Sequence, residues 1–307
     1  MEGMLLRQVR DTRADAEAVR TVVAAGTGQA PGTGQAAGQA DAGQDGVGQD
    51  GGWDGPRGVL LQRTTRHLAA TDPGGCWLAE DAAGHPVGVA LAARREGLWE
   101  LALLAVVPQA RGKGVGTTLL RRAMAYARGT LRGMVCIPPD PMAARVLRTA
   151  GFTLHPVMRM HGTVDASRLD PPDGPAIEGN LAHRSLMDSV DRRLRGGAHG
   201  RDHEELLRHC RVVVADDLAG SGYCYLDASG RIELLAATSR RIAARLLSSA
   251  LLSLPPGAAA LVPRLTAEQE WAVDVGLAAG LRLEPGGYLC LRGMRPPAPY
   301  LPSAAFL

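Results

Sequence analysis

The chain has 307 residues, 46% of them hydrophobic and 4% aromatic, with a formal net charge of +3. That length holds two domains of ordinary size, whose cores must be packed largely from Ala, Leu and Val. The charge is too mild for a nucleic-acid partner, since acidic residues are dispersed among the arginines, and no apolar run is long enough to span a bilayer. The start, Met1-Glu-Gly-Met-Leu-Leu-Arg7, has no secretory pattern, and the five cysteines (Cys76, Cys136, Cys210, Cys224, Cys290) stand singly without a Cys-x-x-Cys. Scattered thiols of this kind point to a reducing, cytoplasmic setting.

Leu5 to Val9 alternates as a short strand, and Asp11 to Ala25 is helical, with Asp11 or Thr12 as N-cap. Residues 26–58 are low in complexity (Gly, Gln, Ala and Asp around a lone Trp53) and are predicted to form a disordered insertion. Val59 to Ala70 reads as a second helix. Cys76 to Asp81 and Pro86 to Ala93 read as a hairpin turned at Asp81-Ala-Ala-Gly84. Leu98 to Val107 is nearly continuously apolar, as in a strand covered on both faces, and Pro108 ends it. Thr117 to Arg128 carries an apolar stripe at helical spacing. Gly133 to Ile137 is a strand, Pro141 to Ala150 a helix closed by Gly151, and Phe152 to Gly162 completes the unit. Residues 165–175, rich in Asp and Pro, read as a linker.

The stretch between the fourth strand and its helix is the informative one. Gly112, Gly114 and Gly116 alternate with Arg111, Lys113 and Val115, and Thr117 follows. Glycine permits positive φ and lets a ligand approach a backbone that has no Cβ. Successive N–H groups at a helix N-terminus then face outward with positive partial charge, which suits phosphate oxygens. A plain glycine-rich turn without a ligand is the competing reading. A Walker loop is excluded because Val115, not Ser or Thr, follows Gly114, and a dinucleotide fingerprint because the glycines alternate one by one.

Gln109-Ala-Arg111-Gly112-Lys-Gly114 after Val106-Val-Pro108, with Ala143 and Ala150-Gly151-Phe152 downstream, resembles the GNAT superfamily of acetyl-CoA-dependent N-acetyltransferases. The resemblance implies an α/β fold of two GNAT-type domains, each a mixed, mainly antiparallel sheet flanked by helices. Residues 1–164 would be the acetyl-CoA-binding domain and residues 176–307 a degenerate copy with a C-terminal tail. It implies transfer of acetyl (EC 2.3.1.-) to a small-molecule or protein amine, in a monomer or homodimer, with no nucleic acid or membrane as partner. In the family this strand carries a bulge and splays from its neighbour, so Leu104, Ala105, Val106 and Val107 would pair with the pantetheine arm, an N–H near Val106 or Val107 meeting the thioester oxygen. Gln109, Arg111, Gly112, Lys113, Gly114, Val115, Gly116 and Thr117 would hold the pyrophosphate. Asp140 stands where the family often has asparagine. The position of the family's general-acid tyrosine is Leu147, which keeps a non-catalytic acyl-CoA-binding or interaction protein as the alternative. Residues 26–58 flank the acceptor site in the family, so they read as a surface insertion or as a lid.

Glu100 is the candidate base. It opens the apolar run Glu-Leu-Ala-Leu-Leu-Ala-Val106, where partial desolvation would raise its pKa; a solvated strand-end carboxylate is the other reading. Histone-type GNAT enzymes carry a glutamate at the equivalent position. Strand alternation places Glu100 on one face with Ala102, Leu104 and Val106. Tyr126 is not assignable as the acid, and Cys136 reads as a small core residue.

The second half repeats the first faintly. Ala150-Gly-Phe-Thr-Leu-His-Pro156 matches Ala279-Gly-Leu-Arg-Leu-Glu-Pro285, Trp77 to Asp81 matches Val213 to Asp217, and Ile232 to Ala237 corresponds to the strand before the glycine loop. There Arg240-Arg-Ile-Ala-Ala-Arg245 replaces the glycines, so the copy is expected to have lost its cofactor. His199 and His203 have metal-like spacing, but Gly196, Gly197 and Gly200 interrupt a helix and Asp202 reads as an N-cap; no metal is expected. The apolar, Pro-rich tail from Pro296 to Leu307 is expected to dock on the body, across the domain interface, and to bring the terminal carboxylate near the acceptor site.

Overall fold

The computed structural model describes residues 4–27, 53 and 55–307. In chain order the elements are β1 (Leu5–Gln8), α1 (Arg13–Gly26), α2 (Pro56–Thr71), β2 (Trp77–Glu80), β3 (Pro86–Arg95), β4 (Leu98–Val106), α3 (Val115–Ala125), β5 (Arg132–Ile137), α4 (Pro141–Thr149) and β6 (Thr153–Thr163). The second half continues with β7 (Ile177–Glu178), α5 (Arg184–Leu194), α6 (Asp202–Leu206), β8 (Cys210–Asp217), β9 (Gly220–Asp227) and β10 (Ile232–Ala237). It closes with α7 (Arg240–Leu252), β11 (Ala259–Leu265), α8 (Glu270–Ala278), β12 (Arg282–Arg292) and β13 (Tyr300–Leu301).

Local chemistry explains most of these boundaries. The Thr12 side chain accepts from the Asp15 N–H at the start of α1. Asp140 caps α4, accepting from Met142 and Ala143 at 2.7 and 3.3 Å. The β2–β3 turn is held by Asp81, whose Oδ1 takes the N–H groups of Ala83 and His85. Two helices begin earlier than expected. Pro56 occupies the first turn of α2, where its missing N–H costs nothing. α3 begins at Val115 because Gly114, in the left-handed conformation, serves as its N-cap. Within the stretch expected to be disordered, Trp53 is buried and its indole N–H donates to Thr27 Oγ1 at 3.0 Å; residues 28–52 and 54 lie outside the described residues.

Both sheets are mainly antiparallel. One has eight strands in the order β1-β2-β3-β4-β5-β12-β6-β11, and the other five, β13-β10-β9-β8-β7. The first sheet does not follow the halves of the chain. β12 lies between β5 and β6, with Leu289 opposite Cys136 and Leu289 opposite His155. β6 in turn pairs with β11, Met160 opposite Val262. Each half therefore places its last strand against the fifth strand of the other, around an approximate two-fold relation centred on the β6–β12 pair. The sequence match around Pro156 and Pro285 is the trace of that symmetry.

Three apolar clusters result. One lies between the first sheet and α3 and α4 and includes Trp99, Leu119, Leu147 and Phe152. A second packs α7 and α8 on the later strands. The third joins the halves, with Val19, Leu68 and Leu91 on one side and Met187, Tyr223 and Tyr225 on the other. Buried polar groups sit within this joint core, among them Glu100, Asp191, Arg195, His199 and His203.

Candidate active site

The glycine stretch folds as a cradle. Gly112 and Gly114 have φ of +74° and +80°, a region L side chains rarely adopt, and a Cβ on either would project into open space. Among the described residues, the N–H groups of residues 112–117 have no hydrogen-bond partner; the first helical bond runs from Thr118 to the Gly114 carbonyl at 3.0 Å. Six successive free N–H groups at a helix N-terminus form an anion-binding concavity. Lys113 stands exposed beside it. Arg111 is committed to the frame instead, its Nε donating to the Val106 carbonyl at 3.1 Å and its Nη2 to Gly26 O at 2.5 Å.

A notch opens next to the cradle. β4 and β5 pair in parallel only from Leu98–Arg132 to Leu101–Val135. Beyond Leu101, β4 keeps β3 as its neighbour and has no partner on the β5 side. The Val107 N–H donates to the Val87 carbonyl at 3.0 Å, so it is not available to a ligand. Antiparallel pairs alternate between bonded and non-bonded positions, which turns the N–H groups of Leu104 and Val106 into the notch and those of Ala105 and Val107 toward β3. A bulge at Ala102 also overturns the expected facing, because Leu103 opposes Leu91 while Leu101 opposes Ala92. Leu104 and Val106 pack toward the α3 side with Leu101, and Ala102, Leu103 and Ala105 toward the joint core.

Glu100 lies at the closed end of this notch and is 2% exposed. Arg195 Nη1 stands 2.7 Å from its Oε1, at ion-pair distance but off the line of a hydrogen bond. The Leu307 N–H donates to its Oε2 at 3.2 Å. Burial pushes the carboxyl up to about 7, against the pull of Arg195 and Arg95, while Asp202 and Asp72 add to the rise. Glu100 is thus desolvated as expected, and it is held by the second half of the chain.

Residues 50–152 match the acetyltransferase (GNAT) family. That match lies within the first half of the chain. No curated protein is similar to the chain in sequence. Solved structures share the whole architecture at low identity. A Pyrococcus horikoshii protein superposes with a TM-score of 0.70 at 16% identity, covering 100% of this chain and 97% of that one. A GCN5-related N-acetyltransferase from Sphaerobacter thermophilus gives 0.58 at 15%, covering 96% and 98%. A tandem GNAT protein from the clavulanic acid biosynthesis pathway gives 0.55 at 13%, covering 95% and 99%. No helix among the described residues is long and apolar enough to cross a membrane.

In the later half, the positions that correspond to the glycine loop and the notch are closed off. Ser239 Oγ accepts from the Ile242 N–H at 3.3 Å, so a side chain caps α7 where the first unit has an open glycine loop. Among the described residues β10 forms no ladder with β11, and an isolated parallel bridge joins Arg231, just before β10, to Leu261. The edge left free is taken by the chain's own tail, as β13 pairs Leu301 with Leu235 and Tyr300 with Ala236. Gln269 anchors that strand, donating to Pro297 O at 2.9 Å and accepting from the Tyr300 N–H at 3.2 Å. The tail then crosses between the halves. Ser303 Oγ donates to Glu233 at 2.6 Å, and Leu307 ends against Glu100, so the tail caps the buried glutamate of each unit. Docking across the interface is as expected; Phe306 and Leu307 are buried.

The remaining expected residues divide clearly. Gln109 is exposed at the lip of the notch. Asp140 stands past the end of β5, where its carboxylate is occupied by the α4 cap. Tyr126 donates to Asp72 at 3.1 Å, and Leu147 is buried in the α3–α4 cluster. One residue escaped sequence reasoning. Strand exchange sets Tyr288 opposite Ile137, the last residue of β5, on the α3–α4 face where the GNAT tyrosine position also lies. Its only trace in sequence is its place three residues past Pro285, where the match to Ala150–Pro156 ends.

Proposed function

We propose that the chain is an acetyl-CoA-dependent N-acetyltransferase that passes acetyl to a primary amine by direct attack, with one cofactor per chain held by the first half. The observation that carries this is the junction of the unpaired β4 edge with six free N–H groups of the glycine loop. A pyrophosphate fits the loop, and an extended pantetheine arm fits the edge beside Leu104 to Val107. Gly112, Gly114, Val115, Gly116 and Thr117 bind phosphate oxygens through the backbone, with Lys113 and Gln109 at the rim. Arg111 shapes the loop, and Asp140 fixes α4 on the far side. The Val106 N–H faces the position of the thioester oxygen and stabilises the charge that develops there. Glu100, titrating near neutral pH, accepts the proton of the attacking amine through a water. Tyr288 donates a proton to the departing thiolate. Small-molecule and protein amines both suit this chemistry.

A non-catalytic acyl-CoA-binding protein is the second reading, favoured by buried Leu147 at the tyrosine position. Thiol release from acetyl-CoA, followed with a panel of primary amines, separates the two. Amine-dependent release supports the transferase. Tight acetyl-CoA binding without release for any amine supports the binding protein.

A further inference from the structure

His199 and His203 have no part in the chemistry above, yet the fold brings them together. Asp191 comes from the last turn of α5, His199 from the glycine-rich loop, and His203 from the first turn of α6. All three side chains are fully buried, and one donor atom from each lies within 4.8 Å of the others. The glycines that argue against a helix are what fold His199 back onto α5.

Two details of the hydrogen bonding leave room for a cation. His203 Nε2 is 3.3 Å from Asp191 Oδ2 and 3.5 Å from Asp188 Oδ1, yet it makes a hydrogen bond to neither. His199 Nδ1 lies 2.7 Å from the same Asp191 Oδ2, so both imidazoles converge on one carboxylate oxygen.

We propose that Asp191, His199 and His203, with a water as fourth donor, bind a divalent transition-metal ion of the zinc class that pins α5, α6 and the tail together. Two imidazoles with a carboxylate are a borderline donor set suited to such ions. Bonds of about 2.0–2.1 Å in a tetrahedron place donors roughly 3.3 Å apart, as His203 Nε2 and Asp191 Oδ2 already are at 3.3 Å; the 2.7 Å contact of His199 with Asp191 opens on binding. Outer partners already orient the ligands, as metal sites require. The Tyr223 hydroxyl donates to Asp191 Oδ1, and Tyr225 OH lies 3.1 Å from His203 Nδ1. The proposal is independent of the acetyl-transfer reading.

The test uses the full, untagged chain, stripped with a chelator and titrated with Co²⁺ and then Zn²⁺. One equivalent of Co²⁺ with the intense visible bands of tetrahedral coordination, displaced by Zn²⁺, is expected. His203→Gln should lose the bands, while His85→Gln, at an exposed position, should keep them. Wild-type chain with less than stoichiometric uptake, or with only octahedral Co²⁺, overturns the site and leaves a protonated histidine pair. Unchanged bands in His203→Gln overturn it as well. Because the cobalt spectrum is read on wild type, a variant that fails to fold does not block the result.

Discussion

Replacing Glu100 by Gln reads out the chemistry proposed for it, and its effect on stability has a definite sign. The groups that face the carboxyl are Arg195 beyond α5, Arg95 on β3, Asp202 on α6, Asp72 after α2 and the Leu307 N–H of the tail. Its folded pKa is raised from 4.5 to about 7. A raised carboxyl pKa means that the folded state holds a proton the unfolded state has released. The contribution of Glu100 to stability is therefore fully present below pH 4.5 and declines as pH rises through about 7. Between pH 5 and pH 8 the loss is about 2.5 kcal/mol. Gln keeps an acceptor for Leu307 and has no proton to lose. At pH 5 the variant should be the more stable by only about 0.8 kcal/mol, because the unfolded wild type has by then released most of the proton that its folded state keeps. At pH 8 the variant should be the more stable by about 3.3 kcal/mol. Urea denaturation of both proteins across that range measures the difference, in which all other titrations cancel. A flat difference, or one of opposite sign, would show an ordinary ion-paired carboxylate and refute the reasoning. The kinetic counterpart is a kcat/KM that rises to a plateau above about pH 7 in wild type, and a loss of roughly 10²–10⁴ in the variant.

Three further outcomes follow from the same geometry. Tyr288→Phe should lower kcat at least about tenfold and leave acetyl-CoA affinity unchanged in a calorimetric titration; unaltered kcat would remove Tyr288 from the reaction. Phe306→Ala should cost about 3–5 kcal/mol in urea denaturation, because the ring is buried edge-on against His67 with centroids 5.5 Å apart; a loss under about 1 kcal/mol would mean the tail is not packed as described. Gly112→Ala meets no atom within 4 Å, so its stability cost should be only the left-handed strain of about 1–2 kcal/mol, whereas acetyl-CoA affinity should fall about tenfold or more. Equal binding by that variant would place the pyrophosphate elsewhere.

The cradle and the first unit were legible because their determinants are local. Positive-φ glycines, the Thr12 and Asp140 caps and the Asp81 turn each act within a few residues, so their types announce their positions. Strand order was not legible beyond β5. β12 follows from the repeat that ends at Pro285, but its choice of β5 and β6 as neighbours is a nonlocal decision made by packing. A bulge in β4 is implied by the resemblance, but the apolar run does not mark its place at Ala102, where it reverses the facing of Leu104 and Val106. Glu100 could be picked out from its position, whereas Arg195 and Leu307, its partners from the far half, could not. The histidines show the limit of spacing arguments. Gly196, Gly197 and Gly200 hid their approach to Asp191, because the glycines were read as breaking a helix when they form the turn that closes the cluster.

The most direct test of the central claim is calorimetric titration of acetyl-CoA into wild type and into Gly114→Glu, with the fold of each checked by circular dichroism. The substitution sets a side chain and a negative charge in the open space above a φ of +80°. One equivalent bound by wild type and none by the folded variant is the predicted result. Two equivalents, or binding that survives in the variant, would contradict a single cofactor site built on the glycine loop of the first half.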